Sequence, residues 1–185
     1  METKALKRCS WPGTDPLYLK CHDEEWGKPI HDDHKLFEFL VLESAQAGLS
    51  WITILRRREG YRKAFANFDV KKVAAFDRND IERLMLDEGI IRNRLKIVSA
   101  INNARLFIDV QKELGSFCKY LYSFMPDNQP VNNFSGQVPV STPISDAITK
   151  DMKKRGFKFF GTTICYAYMQ ATGMVNDHLP DCSFK

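Results

Sequence analysis

Apolar residues recur along this chain at spacings of three and four, and almost nowhere at the spacing of two that marks a half-buried strand. That periodicity predicts an all-α fold of roughly seven or eight helices. Residues 33–47 carry Leu36, Phe37, Leu40, Val41 and Ala47 on one stripe, and Gly48 ends the run. Residues 51–66 suit a second helix with a basic outer face. Asp69 can cap a third over 70–76, and Asn79 a fourth over 80–87, with a tight turn at Gly89. A long helix follows over about 92–114. Ser145 can cap one that runs to Arg155 and closes at Gly156, and a last helix covers 162–172 before Gly173.

Two kinds of segment fall outside this pattern. Residues 125–144 hold four prolines and a glycine and read as an irregular connection, briefly extended at 138–140. The tails, 1–29 and 174–185, carry few helical signals and need another source of order. With 185 residues and no internal repeat, the chain is expected to form one domain. Its helical body would span 30–173 and contain a hairpin at 84–97.

Composition narrows the class. An aromatic content of 12% excludes a disordered chain. No run approaches the ~18 apolar residues of a membrane span, and the first residues lack the apolar core of a signal peptide, so no membrane partner and a cytoplasmic location are expected. The net charge of +4 is modest, but two segments each match it. Residues 56–63 and 150–158 each set five Lys or Arg against one acid. Such clusters serve either as solvated helix faces or as a surface for nucleic acid.

The tails hold a candidate metal centre. Cys9 and His22 lie near one end, and His178 and Cys182, at i and i+4, near the other. Two cysteines and two histidines fill a tetrahedron, the usual coordination of structural zinc, and leave no position for a catalytic water. Such a site would pin the tails to each other. Cys21 competes as a ligand, and unrelated surface thiols and histidines are the plain alternative. Cys118 and Cys165 sit among apolar residues as small core side chains. His31 and His34 read as exposed or capping residues.

On the 33–47 helix Glu43 falls at i+7 from Leu36 and i+3 from Leu40, on the apolar face, whereas Glu38 is offset toward solvent. A buried carboxylate is costly unless it is paired or functional. Glu43 therefore either meets a nearby arginine or faces a ligand. All three tryptophans, Trp11, Trp26 and Trp51, fall in the same quarter of the chain, with Tyr18 beside them. A carboxylate among aromatics suits a flat, cationic or amide-bearing ligand, and a structural tryptophan cluster is the other reading. Farther on, LMLDEGIIRNRLKI at 84–97 reads as two helices joined at Gly89, the second opening with Arg92 and Arg94. It is either an ordinary helical hairpin or a phosphate-binding element that uses free N–H groups at a helix start.

Taken in order, RCSW at 8–11, DPLY at 15–18, HDEEWG at 22–27, LESAQAGLSWITILRRRE at 42–59, GIIRNRLKI at 89–97, KKRGFKFFGTTICYAYMQATG at 153–173 and VNDH at 175–178 resemble the DNA-3-methyladenine glycosylase I family, the constitutive bacterial type within the helix-hairpin-helix glycosylase superfamily. The resemblance covers about residues 8–182. It implies a helix-hairpin-helix glycosylase fold whose tails are joined by zinc. It also implies a monomeric enzyme that flips 3-methyladenine out of alkylated double-stranded DNA and hydrolyses its glycosidic bond, leaving an abasic site. The family's zinc ligands match Cys9, His22, His178 and Cys182. Its base-binding, catalytic carboxylate matches Glu43, its stacking tryptophan Trp51, and its other pocket aromatics Tyr18, Trp11 and Trp26. Gly48 and Leu49 match the turn that fills the vacated stack, and Gly89, Ile90, Arg92 and Arg94 match the phosphate-binding hairpin. Two departures stand out. Cys21 replaces a pocket tyrosine, removing a hydroxyl contact. Asn93 stands where lyase members carry a nucleophilic lysine, which implies no strand cleavage. Asp109 does not occupy the place of the superfamily's catalytic aspartate and reads as an exposed helix residue.

Overall fold

The computed structural model describes residues 6–185. Among them ten α-helices follow in order: α1 (Pro16–Glu24), α2 (Asp33–Gln46), α3 (Trp51–Leu55), α4 (Arg58–Ala64), α5 (Val70–Ala74), α6 (Arg78–Leu86), α7 (Arg94–Leu114), α8 (Phe117–Tyr122), α9 (Pro143–Arg155) and α10 (Thr162–Ala171). Two short strands, β1 (Val131–Asn132) and β2 (Val175–Asn176), pair in parallel with Val131 opposite Val175. The all-α expectation holds. None of the described helices is long and apolar enough to cross a membrane.

Helix α2 is the centre of the body. It packs on α3, α7, α8 and α10, so residues 36–45 are buried all round rather than on one stripe. Phe37 meets Phe107 of α7 at 5.3 Å, and Phe107 stacks on Phe117 of α8 at 4.0 Å. From α10 the buried Tyr168 hydroxyl donates to the Leu36 carbonyl at 3.1 Å.

Several boundaries differ from the sequence reading. The helix expected over 51–66 is broken at Arg56–Arg57 into α3 and α4, after the β-branched run Ile52-Thr53-Ile54, which favours helix weakly. The turn brings Gly60 against Gly89, and a β-carbon at Gly60 would collide with the Gly89 carbonyl. Only glycine lets the α4 backbone touch the hairpin. Asp77, not Asn79, caps α6: it accepts from the Asn79 and Asp80 N–H groups, and Asp80 reciprocates to the Asp77 N–H. Thr142 and Ser145 form the same reciprocal box at α9, with Pro143 at the first helical position. Residues 138–140 are not paired; the extended contact is at Val131–Asn132.

The tails are better ordered than their composition suggests. Asp15 caps α1, with Pro16 at its first position. The Gly27 and Ile30 N–H groups donate to the Gln170 and Thr172 carbonyls at the end of α10. Lys7 N–H donates to Ser183 Oγ at 3.0 Å, and Ser183 N–H returns to the Lys7 carbonyl at 2.9 Å.

Candidate functional site

A cavity of about 350 Å³ opens between α1, α2, the start of α3 and α10. Trp11, Tyr18, Trp26, Glu43 and Trp51 all line it. Trp11 meets Tyr18 edge-on at 4.9 Å and Trp26 at 5.0 Å. Trp51 opens α3 and stacks on Phe39 of α2, with ring centroids 6.4 Å apart and planes 23° from parallel. Behind it the Arg58 guanidinium lies 5.2 Å over the Phe39 ring. Ala167 and Ala171 of α10 leave the floor open, and Gln46, Val138 and Gln170 complete the wall.

Glu43 and Glu38 share α2 and are both buried, yet their chemistry diverges. Glu38 was expected to face solvent; it is 1% exposed. Desolvation raises its pKa, but Lys35 at 2.9 Å and Arg58 at 2.7 Å outweigh that, so it lies below the ordinary value. Glu43 meets no cation, and its Oε2 is buried without a hydrogen-bond partner. Burial alone pushes its pKa up to about 8. The arginine pairing left open for Glu43 is thus made by Glu38. An acid kept protonated on an aromatic wall is prepared to ionise for a cation.

Cys21 is buried between this cavity and a larger one of about 510 Å³. Burial pushes its thiol up to about 11, against a smaller opposing contact from Trp51, so it is a neutral wall residue. The larger cavity is lined by Arg58 and Glu25, which pair with each other at 2.7 Å, and contains no unpaired buried acid. The chemistry therefore lies on the Glu43 side.

Against the back of the aromatic wall sits the cysteine–histidine cluster. Cys9, His22 and Cys182 are buried and offer ligand atoms all within 4.8 Å of one another, a group that could hold a metal ion. His178 lies outside that mutual distance, but its ring is 4.9 Å from that of His22, and its Nε2 is buried with no partner. The surrounding hydrogen bonds fix both rings. His22 Nδ1 meets Asp23 at 2.8 Å and His178 Nδ1 meets Asn176 Oδ1 at 2.6 Å, which turns His22 Nε2 toward Cys182 Sγ at 3.7 Å and leaves His178 Nε2 unpartnered. Leu179 N–H donates to Cys9 Sγ at 3.3 Å. The donor set and the orphaned Nε2 fit a closed structural ion. Cys21, the rival ligand, lines the two cavities instead. Trp11 packs edge-on against His22 at 5.4 Å and Trp26 against His178 at 4.7 Å, so the cluster buttresses the pocket.

The turn after α2 projects Leu49, which is 38% exposed, beyond Gly48 with φ +78°. Lys96, which the sequence reading passed over, reaches from α7 to this turn: its Nζ donates to the Ala45 and Ala47 carbonyls at 2.8 and 2.6 Å. A cation on the last carbonyls of a helix satisfies both hydrogen bonding and the dipole. At the hairpin the backbone donors are already committed. Ile90 is a core residue, 3% exposed. The N–H groups of Gly89, Ile90 and Ile91 already donate to Asp87 Oδ1, the Asp87 carbonyl and the Tyr61 hydroxyl. Arg92 and Arg94 are exposed where α7 begins. Arg94 pairs with Glu82 at 2.7 and 2.9 Å and Arg92 with Glu88 at 3.8 Å, surface contacts of small worth. Asn93 caps α7 through Lys96 N–H at 3.2 Å, and Asp109 is exposed beside Lys112.

The family described as methyladenine glycosylase matches residues 11–185. The chain is 50% identical over 179 residues to the DNA-3-methyladenine glycosylase 1 of Escherichia coli strain K12, covering 96% of each chain. A crystal structure of 3-methyladenine DNA glycosylase I superposes with a TM-score of 0.92 at 50% identity, over 96% of this chain and 98% of that one. A Tyr-to-Phe variant of 3-methyladenine DNA glycosylase I in complex with 3-methyladenine gives the same TM-score at 36% identity, over 96% and 97%.

Proposed function

Because the chain belongs to the methyladenine glycosylase family, we infer that it is a DNA repair glycosylase that hydrolyses the N-glycosidic bond of 3-methyladenine in alkylated duplex DNA. The observation that carries the reading is Glu43, an unpaired acid buried in an aromatic pocket sized for one base.

Methylation at N3 gives the base a positive charge while it is still attached to the sugar. It leaves as a neutral molecule, so the protein need supply little acid catalysis. The target must first leave the stack, at a cost of a few kcal/mol. Arg92, Arg94 and the first turn of α7 hold the backbone phosphates, with Gly89 providing the close turn and Ile90 anchoring it in the core. Leu49, presented by Gly48, fills the vacated space. Trp51 stacks on the extruded ring, where a cation–π contribution of roughly 0.5–2 kcal/mol favours the methylated base. Tyr18, Trp11 and Trp26 close the pocket against water. Glu43 responds to the charge: a cation beside it favours the carboxylate, so the proton held at neutral pH in the empty pocket is released as the base enters. Neutral adenine offers no such compensation and leaves a buried charge unmatched or a proton in the way. Water then attacks the sugar carbon through an oxocarbenium-like state, by analogy with glycoside hydrolysis. With Asn93 as a helix cap and no amine in its place, no covalent step to the sugar is available, and the strand stays intact.

Cys9, His22, His178 and Cys182 would hold a structural Zn2+. The ion would supply no chemistry to the sugar; it would join the tails and hold His22 and His178 behind Trp11 and Trp26. The chain is read as one domain and one monomer over its whole length.

The test is base release from methylated duplex DNA, resolved by chromatography, with the strand examined alongside. Free 3-methyladenine with an uncut abasic strand is expected. Binding to the damaged DNA with no release would replace this reading with a non-catalytic damage-binding module.

A further inference from the structure

Gln170 lines the base pocket from α10, between Ala167 and Ala171, and its amide is not free to choose its orientation. Its Nε2 donates to Asp177 Oδ2 at 2.7 Å. Asp177 is itself 3% exposed and is held by two further donors, the Tyr166 hydroxyl and Asn133 Nδ2, each at 2.7 Å. A carboxylate only accepts hydrogen bonds, so the face of Gln170 turned to Asp177 must be its NH2. The carbonyl Oε1 is left over, and it accepts nothing from the described residues. Tyr166 donates to the same Oδ2 and Asn133 to the opposite Oδ1, so the carboxylate that orients the amide is itself held at both oxygens.

We propose that Gln170 is a specificity-determining residue whose carbonyl, held toward the pocket by Asp177, accepts a hydrogen bond from the exocyclic amino group of the bound purine. This rests on the glycosylase reading and extends it to the edge of the base being read. Position 6 of adenine carries an amino group with two hydrogens; position 6 of guanine or hypoxanthine carries a carbonyl. Gln170 on α10 is an acceptor whatever the protonation of Glu43 on α2, so the neutral free base meets the same carbonyl. An amino group meets it with a hydrogen, whereas a carbonyl would set two oxygens against one another without a proton. A site built to hydrogen-bond one group discriminates strongly against its replacement, because its own polar atoms are then left unpaired. Asp177 touches no base; it is a positioning residue.

The experiment is a tryptophan-fluorescence titration of the full chain with free 3-methyladenine and with 3-methylhypoxanthine, the analogue with a carbonyl at position 6. Wild type should prefer the amino base. Gln170→Leu keeps the volume and removes the acceptor; it should lose about tenfold in affinity for 3-methyladenine and little for the analogue. Asp177→Asn offers the amide a donor, allowing Gln170 to turn its NH2 inward, and should shift preference further toward the carbonyl base. An unchanged ratio in Gln170→Leu, whether both affinities fall or neither does, overturns the proposal. Base release by wild type from methylated DNA is measured in parallel. No release would sink the glycosylase reading itself, while release with an unchanged ratio would sink only the role of Gln170.

Discussion

Replacing Glu43 with Gln should make the protein more stable while impairing its work. An ordinary glutamate titrates near 4.5, and in the folded chain burial holds Glu43 near 8. Below pH 4.5 both folded and unfolded chains carry the proton, and the residue costs nothing. Between 4.5 and about 8 the unfolded chain releases its proton and the folded chain keeps it, so stability falls as pH rises, by ~1.4 kcal/mol per pH unit. Above about 8 both are ionised and the loss is constant. Gln does not titrate and escapes the whole effect. At pH 7 the variant should therefore gain about 3 kcal/mol, with partial water entry into the pocket reducing that figure. For a chain of this size that is roughly 6–12 °C in Tm. Thermal melts of both proteins at unit steps from pH 5 to pH 9 read it directly. The gap should be small at pH 5, widen to about pH 8 and then level off. A gap that is flat with pH, or a variant less stable at pH 8, would mean that Glu43 has a charged partner and that its isolation in the pocket is wrong.

Two further perturbations separate the parts of the site. Cys182→Ala should lose stoichiometric zinc and melt lower by on the order of 10 °C, with weaker binding of the free base because Trp11 and Trp26 lose their backing; full metal content in the purified variant would refute the four-ligand assignment. Lys96→Met keeps the stem but drops two charge-assisted bonds to the end of α2. It should slow base release from DNA while leaving binding of free 3-methyladenine unchanged; equal losses in both assays would show that Lys96 supports the pocket rather than the turn.

Much of this site was legible because the chemistry is carried by rare residue types. Two cysteines and two histidines near the chain ends read as a ligand set whatever the local structure. Glu43 read correctly because it stands in register with Leu36 and Leu40. The same argument misplaced Glu38, and the reason is physical: α2 is buried on every side, so periodicity has no solvent face to find. The cations that make Glu38 tolerable include Arg58, twenty residues away in sequence, and nothing local announces it. Helix α1 carried a readable start, Asp15 before Pro16, in a tail read as having few helical signals. Helix α8 is six residues long, too short for a period, and takes part of its N-terminal cap from Asp33 far along the chain. Gln170 was invisible for a related reason. Its meaning lies in which end of the amide faces Asp177, and that is a property of the fold, not of the string.

The meeting of Lys7 with Ser183 has a topological consequence. A metal bridging Cys9 and Cys182 would close nearly the entire chain into one loop. In chain-entropy terms, a cross-link over so long a loop removes about 5 kcal/mol worth of unfolded-state freedom, near the upper limit for any single cross-link. It would act on the denatured ensemble rather than on any packed contact. With an ion in place the chain would be in effect a ring, fastened where its two ends meet, and the fastener would double as the back wall of the pocket.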